Sequence, residues 1–90
     1  MNIFFQTNQE IIEQITSRLS LKRKQLKLTQ KELAEMSGVS FGAIQKFEKG
    51  QNFTISNFIS ILRALGELQS LGKLLEATTP SPKEIYLKEK

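Results

Sequence analysis

The chain has no cysteine, no histidine and no aspartate, and only two prolines in its 90 residues. Without Cys and His the commonest ligands for transition metals are missing, and no disulfide can brace the fold. The usual nucleophile and base pairings are missing too, so catalysis would have to rest on Glu, Lys, Ser or Tyr alone. Glu32, Glu35 and Glu48 offer a carboxylate pair on paper, but acidic residues at such intervals are the ordinary composition of solvated helix faces. An enzyme is not expected, nor is any cofactor or metal. Long apolar runs are also absent, the longest falling far short of a membrane span. The opening residues, Met1 to Gln6, lack the basic start and apolar stretch of a secretory signal. A soluble, cytoplasmic protein is expected.

What is present is one domain's worth of ordinary globular composition, 39% hydrophobic and 24% charged, with a net charge of +4. The charge is unevenly placed. Arg18, Lys22, Arg23, Lys24, Lys27 and Lys31 form a basic block with no acidic residue among them. A basic run is most often a solvated face, so the block needs a geometric context before it implies a polyanion.

Helix starts provide that context. Thr29-Gln30-Lys31-Glu32 has the capping-box spacing, in which the Thr hydroxyl accepts from a helix-start N–H and the Glu reaches back to the cap. Leu28 and Leu33 flank it as a hydrophobic staple, an arrangement repeated by Val39 and Ile44 around Ser40 and by Phe53 and Phe58 around Thr54. A first helix is expected from near Thr7, with Glu10 completing its box, to about Leu26. Ile12, Ile15, Leu19 and Leu26 lie on its core face, with Ile11 and Leu21 at the margins. A second helix over about 30–37 buries Leu33 and Ala34, with Met36 nearby, and ends at Gly38. A third is expected over 41–49, and a fourth over 55–65 with Ile55, Phe58, Ile59, Leu62 and Leu65 at core spacing. A fifth, over 67–77 after Gly66, carries Leu68, Leu71, Leu74 and Leu75 as an apolar stripe. The pattern is all-α, with a helical domain over 1–77 and a loose tail over 78–90 that contains both prolines.

Two short helices joined by a tight Gly-containing turn, with basic residues close by, have the form of a helix-turn-helix, whose second helix enters the DNA major groove. In the third helix Ile44 and Phe47 define the buried stripe. At about 100° per residue, Gly42, Gln45, Lys46 and Lys49 then project outward, with Phe41 at the side. Gln45 can pair with adenine, Lys46 can donate to guanine and Phe41 can meet a thymine methyl, while Gly42 permits close backbone approach.

The stretch LTQKELAEMSGVSFGAIQKFEKG resembles the helix-turn-helix of the Cro and phage-repressor class, the XRE family, from about Leu19 to Leu65. The resemblance implies a five-helix, lambda-repressor-like DNA-binding domain acting as a dimer on inverted repeats of double-stranded DNA. It assigns Gln30 to a phosphate contact that also buttresses the third helix. Ser40, Phe41, Gly42, Gln45 and Lys46 fall in the base-reading stretch, and Lys49, Gln51 and Asn52 in the loop that meets the DNA backbone. It further implies a partly buried ion pair between Arg23 and Glu48, leaving Lys22, Lys24, Lys27 and Lys31 as candidates for phosphate. Phe41 and Gly42 replace a polar pair common at the tip of the reading helix, so sequence discrimination is expected either to be weaker or to lean on DNA shape.

From Gly38 to Leu68 the chain also resembles HipB-type antitoxins, which implies operator binding together with a HipA-like kinase toxin as partner. The leucines of the fifth helix, with Ile85, Tyr86 and Leu87 of the tail, are candidates for the dimer interface. Closing the protomer's own core is an equally open role for those leucines. The competing function is a protein-interaction module that keeps the fold without reading DNA.

Overall fold

Every long helix begins at a side-chain cap. In the computed structural model, which describes residues 3–76, α1 (Asn8–Gln25) is capped by Thr7 and α2 (Gln30–Ser37) by Thr29, each through a reciprocal box with Glu10 or Glu32. Ser40 accepts from the Ala43 N–H to start α3 (Phe41–Glu48), and Thr54 accepts from the Asn57 N–H to start α4 (Ile55–Ala64). Caps of this kind are each worth about 1 kcal/mol. The expected staples pack as well: Val39 and Ile44 are buried, and the Phe53 and Phe58 rings lie 5.6 Å apart. Among the described residues all regular structure is helical, including an unexpected 3-10 turn at Ile3–Phe5.

α1, α3 and α4 end by one scheme. Past α1 the Leu28 N–H donates to the Arg23 carbonyl at 3.1 Å and the Lys27 N–H to the Lys24 carbonyl at 2.9 Å. This is the Schellman arrangement, and it turns on a residue in the left-handed region. The same pair of bonds closes α3 at Gly50 and α4 at Gly66. Gly50 is required twice over, since its φ is +75° and a Cβ there would stand 2.9 Å from Glu13 Cγ on α1.

Leu19, Leu33, Val39, Ile44, Phe47, Ile61, Leu62 and Leu65 form the core. α2 packs on α3 and α4, and α1 packs on α3. Phe47 meets Phe53 edge-on, with ring centroids 4.8 Å apart.

Several expected core positions are corrected. Leu26 is exposed because α1 stops one residue short of it and the chain reverses at Lys27, bringing Leu28 onto the core in its place. Ile55 is the first residue of α4 and exposed. Its side chain leans toward the helix start, beyond the packed layer. Ile61, absent from the expected face, is buried. Met36 is exposed because the covered arc of α2 runs through Gln30, Leu33, Ala34 and Ser37. The single fifth helix is in fact a 3-10 segment, Leu68–Leu71, followed by one α-helical turn, α5 (Gly72–Leu75). Leu68 and Leu71 pack on the core, but Leu74 and Leu75 are 82% and 79% exposed, so those two do not close it. The tail expected at 78–90, with Ile85, Tyr86 and Leu87, lies outside the described residues.

Candidate nucleic-acid interface

The turn between α2 and α3 is built from Ser37 to Ser40. Gly38 ends α2 at φ +74°, and the Ser37 hydroxyl oxygen accepts from the Val39 N–H at 3.2 Å. Val39 then plugs into the core, which fixes the direction in which α3 departs. On α3 itself Ile44 and Phe47 face inward, with 0% and 1% of their surface exposed. The outward arc therefore consists of Phe41, Gly42, Gln45 and Lys46. Phe41, Gly42 and Lys46 are exposed and Gln45 is half-buried.

The other expected contact residues cluster around this arc. Ser40 is exposed at its leading edge, and because its oxygen accepts from Ala43, its hydroxyl proton is left to donate outward. Lys49, Gln51 and Asn52 are exposed where α3 ends. Lys46 and Asn52 share a cleft with Asn57 at the start of α4, so polar groups continue from α3 toward the next helix start.

Four side chains converge behind α3. Arg23 donates through Nε to Glu48 Oε2 at 2.7 Å and through Nη2 to Oε1 at 3.0 Å, while Nη1 donates to the Leu28 carbonyl at 2.7 Å. Glu48 Oε1 also accepts from Ser20 Oγ at 2.9 Å and from Gln30 Nε2 at 3.1 Å. Burial pushes the Glu48 carboxyl up, and hydrogen bonds from Arg23, Gln30 and Ser20, with the Arg23 charge, outweigh it and hold the group below its ordinary value. α1, α2 and the end of α3 are thereby locked to one carboxylate. Through its bond to Glu48, Gln30 supports the end of α3. Ser20 was not anticipated, although it lies three residues before Arg23 and thus on the same face of α1.

The basic block divides. Lys22 and Arg18 pair with Glu67, at 3.6 Å and 4.0 Å, and so tie α1 to the segment after α4. Arg23 is committed to Glu48, and Lys24 and Lys27 are exposed at the end of α1. Lys31 places its ammonium 5.7 Å from the centre of the Phe41 ring, a link between the starts of α2 and α3 that sequence spacing did not suggest.

A helix-turn-helix family profile matches residues 19–68, more than half the chain and all of this geometry except the start of α1. The chain belongs to the helix-turn-helix family. It is the Cro and phage-repressor type, a family of DNA-binding transcriptional regulators. A comparison with curated proteins returns no match. Within the helix-turn-helix, α2 is hydrogen-bonded through Gln30 to the end of α3, and α3 leaves its outward arc at the surface. Among the described residues no helix is long and apolar enough to cross a membrane, and no cluster of acidic residues could hold a metal ion.

Proposed function

We propose that this protein binds double-stranded DNA sequence-specifically as a homodimer on an inverted repeat and acts as a transcriptional repressor. The observation that carries the reading is the outward arc of α3. It offers an amide, an ammonium, an aromatic ring and a bare backbone position on a helix held from behind by Arg23 and Gln30 through its own Glu48. Ser40, Phe41, Gly42, Gln45 and Lys46 meet base edges in the major groove. Gln30, Lys49, Gln51 and Asn52 meet the sugar-phosphate backbone and fix register.

Dimerisation is assigned to the C-terminal segment. Leu74 and Leu75 are exposed there, and Leu74 lines a cleft with Ile15, Leu19, Phe58, Leu62 and Leu71, to which Arg18, Glu67 and Ser70 add polar groups. Two reading helices about 34 Å apart would then address successive major grooves on one face of the duplex. The resemblance to HipB-type antitoxins supports a HipA-like kinase toxin as a second partner, and a kinase of that class co-purifying with the chain tests it.

The test of DNA reading is selection of bound duplexes from a random pool at about 0.15 M salt, where exposed charge is strongly screened. Enrichment of an inverted repeat with half-sites about one helical turn apart is expected. No enrichment, together with binding that barely changes with salt, would replace this reading with the protein-interaction module.

A further inference from the structure

We propose that Lys31 is a positioning residue for base recognition: its ammonium holds the Phe41 ring against α3, and discrimination of thymine at the step that Phe41 meets depends on it. The inference rests on the base-reading role assigned to Phe41 above.

Lys31 is the second residue of α2 and Phe41 the first residue of α3, and the ammonium lies 5.7 Å from the ring centre. That is within the range of a cation–π attraction. Phe41 needs such a partner. A side chain at the first helical position leans past the helix start, where its own helix supplies no neighbour, and Phe41 is 38% exposed. A cation in the first turn of α2 gains nothing from that helix's dipole. With the ammonium over the ring and 38% of the residue still exposed, part of the ring is left for an apolar group. The thymine 5-methyl is the apolar feature that the major groove displays. A ring free to rotate would meet that methyl only part of the time.

Two measurements test this. In the free protein, the Lys31 ε-methylene protons should be shifted upfield by the ring current and return to ordinary values in Phe41→Ala. An unshifted wild type overturns the proposal without reference to DNA. The second measurement uses the duplex enriched by the wild type, with each thymine replaced singly by deoxyuridine, which removes only the methyl. The wild type should bind about fourfold more weakly at one position per half-site, the worth of one buried methyl group, and Phe41→Ala should lose that difference. Lys31→Met should reduce it below about twofold, and Lys31→Arg, which keeps the cation, should preserve it. If Lys31→Met keeps the full difference and only flattens the salt dependence, Lys31 is a phosphate contact and the proposal is overturned. It is overturned equally if no uracil position weakens the wild type. Failure of the wild type to enrich any duplex would instead reject the DNA reading on which the second measurement stands.

Discussion

Arg23 and Glu48 meet fork to fork, Nε on Oε2 at 2.7 Å and Nη2 on Oε1 at 3.0 Å, with side chains only 11% and 8% exposed. A bidentate pair this sheltered is costly to break from one side, because the surviving charge stays buried without its partner. Arg23→Ala is expected to destabilise the fold by about 3–5 kcal/mol, a large share of the stability of so small a domain. Arg23→Met combined with Glu48→Leu should recover most of the loss, since no unpaired charge remains. Urea unfolding of the three proteins measures both effects, and a double variant as unstable as Arg23→Ala would show that the hydrogen bonds, and not the charge, carry the brace.

The same carboxylate makes stability depend on pH. The Glu48 value in the folded protein lies below its ordinary value of 4.5. A group depressed on folding contributes stability that is fully present above the unfolded value and is lost as pH falls through the folded one. Unfolding free energy should therefore carry a Glu48 component that is constant above about pH 5.5, declines below 4.5 and is exhausted at more acid pH. Urea titrations of the wild type and Glu48→Gln between neutral and strongly acid pH isolate it as the difference between the two curves. Parallel curves would remove Glu48 as its source.

Lys27 holds the position that Gly50 and Gly66 hold at the ends of α3 and α4, with φ +59° against +75° and +71°. A side chain with a Cβ pays a steric cost of about 1–2 kcal/mol in the left-handed region. Lys27→Gly should stabilise the fold by about 1 kcal/mol, part of the relief being offset by the greater freedom of glycine in the unfolded chain. Thermal unfolding checks the sign. If Lys27 also touches phosphate, the variant combines a higher melting temperature with a DNA salt slope reduced by about 0.9.

Helix starts were legible because a cap is a local event. Thr7, Thr29, Ser40 and Thr54 each find their N–H three residues on, and no other part of the chain has to be known. The ends were half legible. Gly38, Gly50 and Gly66 announce themselves, but Lys27 does not, because nothing in its residue type favours the conformation it adopts. The fifth helix failed for a related reason: its leucine stripe has the right period, yet Glu67 provides no side-chain cap and Gly72 opens a single α-helical turn. On α3 the exposure of Gly42 and Lys46 followed from Ile44 and Phe47 alone, whereas Gln45, expected outward, is half-buried and Lys49 lies past the end of the helix; Arg23 with Glu48 came through the family resemblance. The Lys31 contact with Phe41, and those of Arg18 and Lys22 with Glu67, depend on how separate parts of the chain pack together. Periodicity along one helix says nothing of that.

Lys46 and Gln30 should separate reading from bracing. Lys46 stands exposed on the outward arc, so Lys46→Ala should cost about 1–3 kcal/mol on the selected duplex and relax the preference at one base pair. Gln30 donates to Glu48 at 3.1 Å behind α3. Gln30→Ala should weaken selected and random duplexes alike and lower stability by about 1 kcal/mol. Competition binding with both duplexes decides. Equal losses for Lys46→Ala on the two would place its ammonium on phosphate.

Gly42 allows stability and DNA affinity to be driven in opposite directions by one methyl group. A Cβ built there meets nothing within 4 Å, and the residue lies in α3 with its surface exposed. Replacing glycine by alanine within a helix is worth about 0.5–1 kcal/mol, so Gly42→Ala should unfold at higher temperature and higher urea than the wild type. In the proposed docking the same methyl would occupy the space through which the backbone of α3 approaches the groove. Affinity for the selected duplex should fall about tenfold, equivalent to about 1.4 kcal/mol. A gain in stability with that loss in affinity marks a position kept bare for its ligand at the expense of the fold. A gain in stability with undiminished binding would mean that the tip of α3 stands clear of the bases, and the reading role would then rest on Gln45 and Lys46.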